Sequence, residues 1–96
     1  MNIISKVADS MDGQIEIFAV KDEGHSEVQI WGNPDGLRSL AKLLITIADY
    51  DQSESDAPEG TREHTHLTPK THTGSHSQPV MISRTDAKGT GELPNF

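Results

Sequence analysis

The stretch GNPDGLRSLAKLLITIADYD, residues 32–51, constrains this chain more than any other. Asn33 is a favoured helix N-cap, because its side-chain oxygen can accept from an N–H of the first turn that has no partner inside the helix. Pro34 then stands at the first helical position, where its missing N–H costs nothing. Asp35 places negative charge at the positive end of the helix dipole. Leu37, Leu40, Ala41, Leu44, Ile47 and Ala48 follow at offsets 0, 3, 4, 7, 10 and 11, one face of a helix with Leu44 near its centre. Leu43, Ile45 and Tyr50 widen that face, and Arg38, Ser39, Lys42, Thr46 and Asp49 remain for water. Hydrophobic residues make up only 32% of the chain, so this helix holds a large share of them. The spacing predicts that it forms the second layer of a small core, with one flank of the broad stripe left as a possible partner surface.

Short alternating runs surround the helix. Residues 3–8, IISKVA, read as a strand, followed by a turn at Asp12-Gly13. Residues 14–20 place Ile15, Ile17 and Ala19 on one face by the two-residue period. A loop at 21–26 leads into 27–31, where Val28 and Ile30 face one way and Glu27, Gln29 and Trp31 the other. These two runs predict an antiparallel hairpin with one wet face, and put Trp31 opposite the helix. Residues 62–67 give a further strand, with His64 and His66 on one face and Thr65 and Leu67 on the other. Residues 79–83 give the last, with Val80 and Ile82 inward. The expected fold is α+β in two layers: one main helix on one face of a four- to five-stranded, mostly antiparallel sheet, in ββ(β)αββ order. Residues 1–84 form the single domain, and 85–96, which show no period, read as a flexible C-terminal tail.

Composition excludes several functions. No cysteine is present, which removes disulfides, thiolate catalysis and cysteine-ligated zinc and fits a reducing, cytoplasmic setting. Fifteen acidic residues against eight basic ones give a formal charge of -7, the reverse of what phosphate contacts need, so nucleic acid is not an expected partner. Nothing approaches the ~20 apolar residues of a membrane span. Residues 49–60 carry five acids and no lysine or arginine, either a solvated loop or an acidic contact surface. Acids just past a helix C-terminus oppose the dipole, so local stability does not explain them.

The histidines are the only chemical constellation. His64 and His66, alternating on a strand, stand about 7 Å apart and could share a zinc ion with a third ligand from His72 or His76. That third ligand would come from a Pro-, Thr- and Ser-rich loop, and no His-Glu-x-x-His or placed carboxylate accompanies the pair. The reading is therefore no cofactor and no metal, with His64 and His66 the residual candidates. Ser75, Ser77 and Ser83 lie near histidines in sequence only, which is not triad geometry.

The segments GNPDGLRSLAKLLITIAD, EHTHLTP and SQPVMISR together resemble the immunity protein 32 family of bacterial polymorphic-toxin systems. The resemblance rests on Gly32-Asn33, Gly36-Leu37, the run at 40–48, His66-Leu67 and the late apolar strand. It implies a small α+β cytosolic protein, not an enzyme, that binds and neutralises a cognate toxin. Partner-binding candidates are Trp31 on the wet sheet face and the acids Asp51, Glu54, Asp56 and Glu59. Asn33, Pro34 and Leu44 are the residues expected to hold the fold. Two other functions stand beside this one: a small histidine-based metal-binding protein or hydrolase, and a domain that assembles with itself.

Overall fold

A computed structural model describes residues 2–96. Its elements are α1 (Ile3–Asp9), β1 (Ile15–Asp22), β2 (His25–Gly32), α2 (Pro34–Asp49), a short 3-10 helix (Gln52–Glu54), β3 (His64–Leu67) and β4 (Val80–Ser83). The fold is α+β, with two α-helices and two antiparallel sheets of two strands each among the described residues. This corrects the expectation of one main helix on a single four- to five-stranded sheet.

The first difference lies at the N-terminus, where 3–8 form a helix and not a strand. Asn2 caps it, its Oδ1 accepting from Ser5 N at 3.0 Å. The apolar residues Ile4, Val7, Ala8 and Met11 follow a helical spacing, and Ile4 and Ala8 are buried while Val7 and Met11 pack partly covered beside them. Adjacent isoleucines favour strands locally, but packing of this face overrides that preference.

A second correction follows from the first. The buried line of α2 runs through Gly36, Leu40, Leu43 and Ile47. Leu43 is 0% exposed, whereas Leu44 is 45% and Leu37 46% exposed. Leu44 is therefore not the centre of the core. Ile4 and Ala8 of α1 belong to the same cluster as Leu40 and Leu43, so a second helix draws the buried stripe toward its own side. The phase of α2 thus depends on the presence of α1.

The hairpin is longer than expected. β1 and β2 pair from Ile15–Gly32 to Asp22–His25, leaving Glu23 and Gly24 as the turn. Gly24 has φ +67°, a conformation that glycine adopts without strain. The core side of the hairpin carries Ile15 and Ile17, both buried. Val28 and Ile30 share that face by register, yet they are 69% and 54% exposed. The helix meets the hairpin at its Ile15–Gly32 end, where Leu37 lies against Gly32, and so does not cover the rest of β2.

The start of α2 is locked to the chain before β1. Asn33 Oδ1 accepts from Gly36 N at 2.8 Å and from Gln14 N at 3.0 Å. Gly36 allows this approach: a Cβ there would lie 2.0 Å from the Gln14 carbonyl oxygen. Ser39 adds a reciprocal pair, its Oγ accepting from Asp12 N and donating to Asp12 O.

Two sheets replace one because the segment between β3 and β4 covers the outer edge of β1 in a mixed fashion. Gly74 N and Gln78 N donate to the carbonyls of Ile15 and Ile17. Between them Ser77 Oγ bonds both polar backbone groups of Ile17, and Gln78 Oε1 accepts from Ala19 N. Side chains thus do the work of a ladder, and the sheet does not continue. β3 and β4 pair from His64–Ser83 to Leu67–Val80, with Thr65 and Leu67 buried and Val80 and Ile82 half-buried against the core.

The C-terminus of α2 receives a cation from far along the chain. Arg84 Nη1 donates to the carbonyls of Tyr50 at 2.8 Å and Ile47 at 3.2 Å. The Ile47 carbonyl otherwise accepts only a long bond from Tyr50 N at 3.4 Å, and the guanidinium also meets the negative end of the helix dipole. Asp86 holds Arg84 in a two-bond pair at 2.7 and 2.6 Å. Residues 86–92 lie in the segment read as a tail. Ala87 is buried there, Gln52 Nε2 donates to Asp86 O, Lys88 Nζ donates to the Ser55 and Ala57 carbonyls, and Arg62 donates to Glu92 O.

Candidate partner-binding surface

Alternation and register bring one set of side chains onto the face of the hairpin that points away from α2. Glu16 stands opposite Trp31, Phe18 opposite Gln29, and Val20 opposite Glu27. Trp31 is 62% exposed. Its indole N–H donates to Gln29 Oε1 at 2.8 Å, Gln29 donates to Glu27 Oε1 at 2.8 Å, and Glu27 meets His25 at 3.2 Å. The Gln29 amide, with His25 beside it, holds the Glu27 carboxyl below its ordinary range. This row holds the Trp31 ring without covering it, which lowers the entropy left for the side chain to lose in any contact.

Beside the row lies an open cleft of about 470 Å³ lined by Glu16, Phe18, Trp31 and His76. Reading the sequence alone missed Glu16, Phe18 and His76. A signal for the first two was present: a turn centred on Glu23-Gly24 pairs residue 16 with 31 and 18 with 29. His76 arrives from the segment that covers β1, which no sequence period announces.

The acidic candidates occupy a different region. Asp51, Glu54, Asp56 and Glu59 are all exposed. Asp51 caps the 3-10 helix, accepting from Ser53 N at 3.0 Å and Ser53 Oγ at 2.6 Å, and the Ser53 bonds hold its carboxyl below the usual range. The backbone under these acids is anchored by Gln52, which is buried and accepts from Glu63 N at 2.9 Å. The stretch therefore presents its charges from an ordered base.

Further apolar surface lies on the other side. Leu37, Leu44 and Ile45 of α2 are exposed, as are Val28 and Ile30 of β2. With β1 covered on its outer edge, β2 is the edge strand of its sheet.

His64 and His66 share the exposed face of β3, their rings 5.2 Å apart and edge to face. The third ligands considered for them lie elsewhere. His72 accepts from Thr68 N through Nδ1 at 2.9 Å, so Nε2 carries the proton it gives to Asp9 Oδ1 at 3.0 Å. His76 lines the Trp31 cleft. Among the described residues no three metal-ligating side chains converge. No helix there is long and apolar enough to cross a membrane.

No curated protein and no solved structure matches the chain. The sequence model of Immunity protein 32 matches residues 27–85, more than half of the chain. That span starts in β2, contains Trp31, α2 and the acidic stretch, and ends past β4. The chain belongs to the Immunity protein 32 family.

Proposed function

We propose that this protein is a non-enzymatic immunity protein that binds and neutralises a cognate bacterial toxin domain in the cytoplasm. The observation that carries this reading is the family match over residues 27–85. Two features of the surface support it. Trp31 is exposed but held in place, and four acids stand on an ordered base. The first suits a contact that excludes water at its centre. The second suits long-range steering of a partner with a basic face, screened over about 10 Å at 0.1 M salt.

The reading is tested in cells. The gene beside this one is expressed alone and together with this chain. Growth arrest by the neighbour, relieved by this chain and not by an unrelated acidic protein, is the expected result. A neighbour that is harmless, or whose toxicity this chain leaves unchanged, contradicts the reading.

A further inference from the structure

We propose that the cleft between Trp31 and Phe18, with the Glu16 carboxylate at its side, receives an arginine side chain of the protein partner. The proposal rests on the immunity reading and names the chemistry of its contact. It starts from an unmet bond. Glu16 Oε2 is buried without a hydrogen-bond donor. A buried carboxylate oxygen left in this state destabilises the free protein, because it has lost water and gained nothing in return. The carboxylate lies close over Gly74, where a Cβ would stand 1.6 Å from Glu16 Oε1.

The surroundings fit a guanidinium. Glu16 lines both the Trp31 cleft and a neighbouring groove that reaches Thr73. A guanidinium offers five donors in a planar fork, two of which can meet the oxygens of one carboxylate. Trp31 and Phe18 line the same cleft, and aromatic rings attract a cation and can stack on its plane. The glutamate side chain is flexible, and a rotamer change carries its carboxylate into the cleft it lines. Three of the chain's cations are engaged elsewhere: Arg84 bonds carbonyls at the end of α2, Lys88 those of Ser55 and Ala57, and Arg62 those of Thr85 and Glu92. A formal charge of -7 favours a cation supplied by the partner.

The test has two arms on the full chain. Trp31 is the only tryptophan, so its fluorescence reports the cleft directly. In the first arm N-acetyl-arginine amide is titrated at about millimolar concentration, the range of a single weak contact. A saturable change is expected, smaller with the glutamine analogue and lost in Glu16→Gln. No saturable change, or the same change in E16Q, overturns the proposal. In the second arm the neighbouring toxin is bound by wild type, E16Q, Trp31→Ala and Glu23→Gln. Glu23 stands at the hairpin turn, so its variant controls for the lost charge. E16Q is expected to weaken binding about thirtyfold or more, W31A about tenfold or more, and Glu23→Gln little. E16Q is also expected to melt no lower than wild type, since it removes an uncompensated charge; this separates a binding role from a folding one. Equal toxin affinity for wild type and E16Q overturns the cleft and leaves the immunity reading intact. A wild-type chain that binds no toxin sinks the immunity reading and the proposal with it.

Discussion

Residues 3–50 and residues 51–92 are held together by different forces. In the first region α1, α2 and the hairpin bury apolar side chains on one another: Ile4, Ala8, Ile15, Ile17, Leu40, Leu43 and Ile47. In the second, β3 and β4 add Leu67 and two half-buried residues to that core, and most of the remaining order comes from polar side chains that reach backbone groups. Gln52 bridges residues 63 and 86, Arg84 caps α2, Arg62 binds two carbonyls, and Lys88 binds two more. A chain with 32% hydrophobic residues cannot bury much, and here polar ties extend order beyond the reach of its core. The arrangement leaves the surface of the second region free to carry unpaired acid.

The comparison breaks first at Leu43. Leu43→Ala is expected to cost about 2–5 kcal/mol in a urea melt, while Leu44→Ala costs below about 1 kcal/mol. Equal costs would mean that α2 is rotated and that α1 does not direct its phase. Arg84→Ala tests the second region and is expected to cost about 1.5–3 kcal/mol, because charged hydrogen bonds to two carbonyls are lost. Hydrogen exchange should quicken at the end of α2 and around residues 52–63. Exchange that stays protected there would show that apolar packing, and not Arg84, holds the two regions together. Asn33→Ala should cost about 0.5–2 kcal/mol, toward the upper end because two N–H groups lose one acceptor. A melt unchanged by this substitution would place the start of α2 elsewhere.

Acid should loosen the second region before the first. Arg84 bonds hold the Asp86 carboxyl below its ordinary range. The folded chain therefore binds that proton more weakly than the unfolded chain does. The stabilisation is complete above the ordinary carboxylate range and is lost as pH falls through it to the lowered folded value. Asp86→Asn should remove this part of the acid dependence, read as a flatter melting temperature against pH. An acid limb of the same slope in both proteins would assign it to other carboxylates. Smallest of all, neutralising Asp51, Glu54, Asp56 and Glu59 together should leave the melt nearly unchanged and slow association with the toxin, most at low salt. A binding rate that ignores both salt and these charges would make the stretch a solvated linker.

The sequence made the first region legible in its middle and not at its edge. The Asn33-Pro34 cap, the hairpin faces and the alternation of β3 follow from local periods, and the structure forms them. Ile3-Ile4 satisfies a strand preference and a helical spacing at once, and only contact with α2 decides between them. The segment at 74–78 has no period because it pairs with β1 partly through Ser77 and Gln78 side chains. Arg84 looked like the end of a domain, yet it answers the question left by the acids after α2: the cation that offsets the helix end comes from β4's far side of the chain. The exposure of Trp31 on the wet face of the hairpin was legible. The cleft beside it was not, because it depends on carrying the hairpin register through to Glu16 and on His76, which a loop delivers.

The most direct test of the account is a titration of purified toxin with purified chain, following the toxin's activity. The account predicts inhibition that rises linearly and stops at a fixed stoichiometric ratio, with both proteins chemically unchanged and no effect of a chelator. Inactivation of many toxin molecules by one chain, or toxin activity that survives an excess of chain, would contradict it.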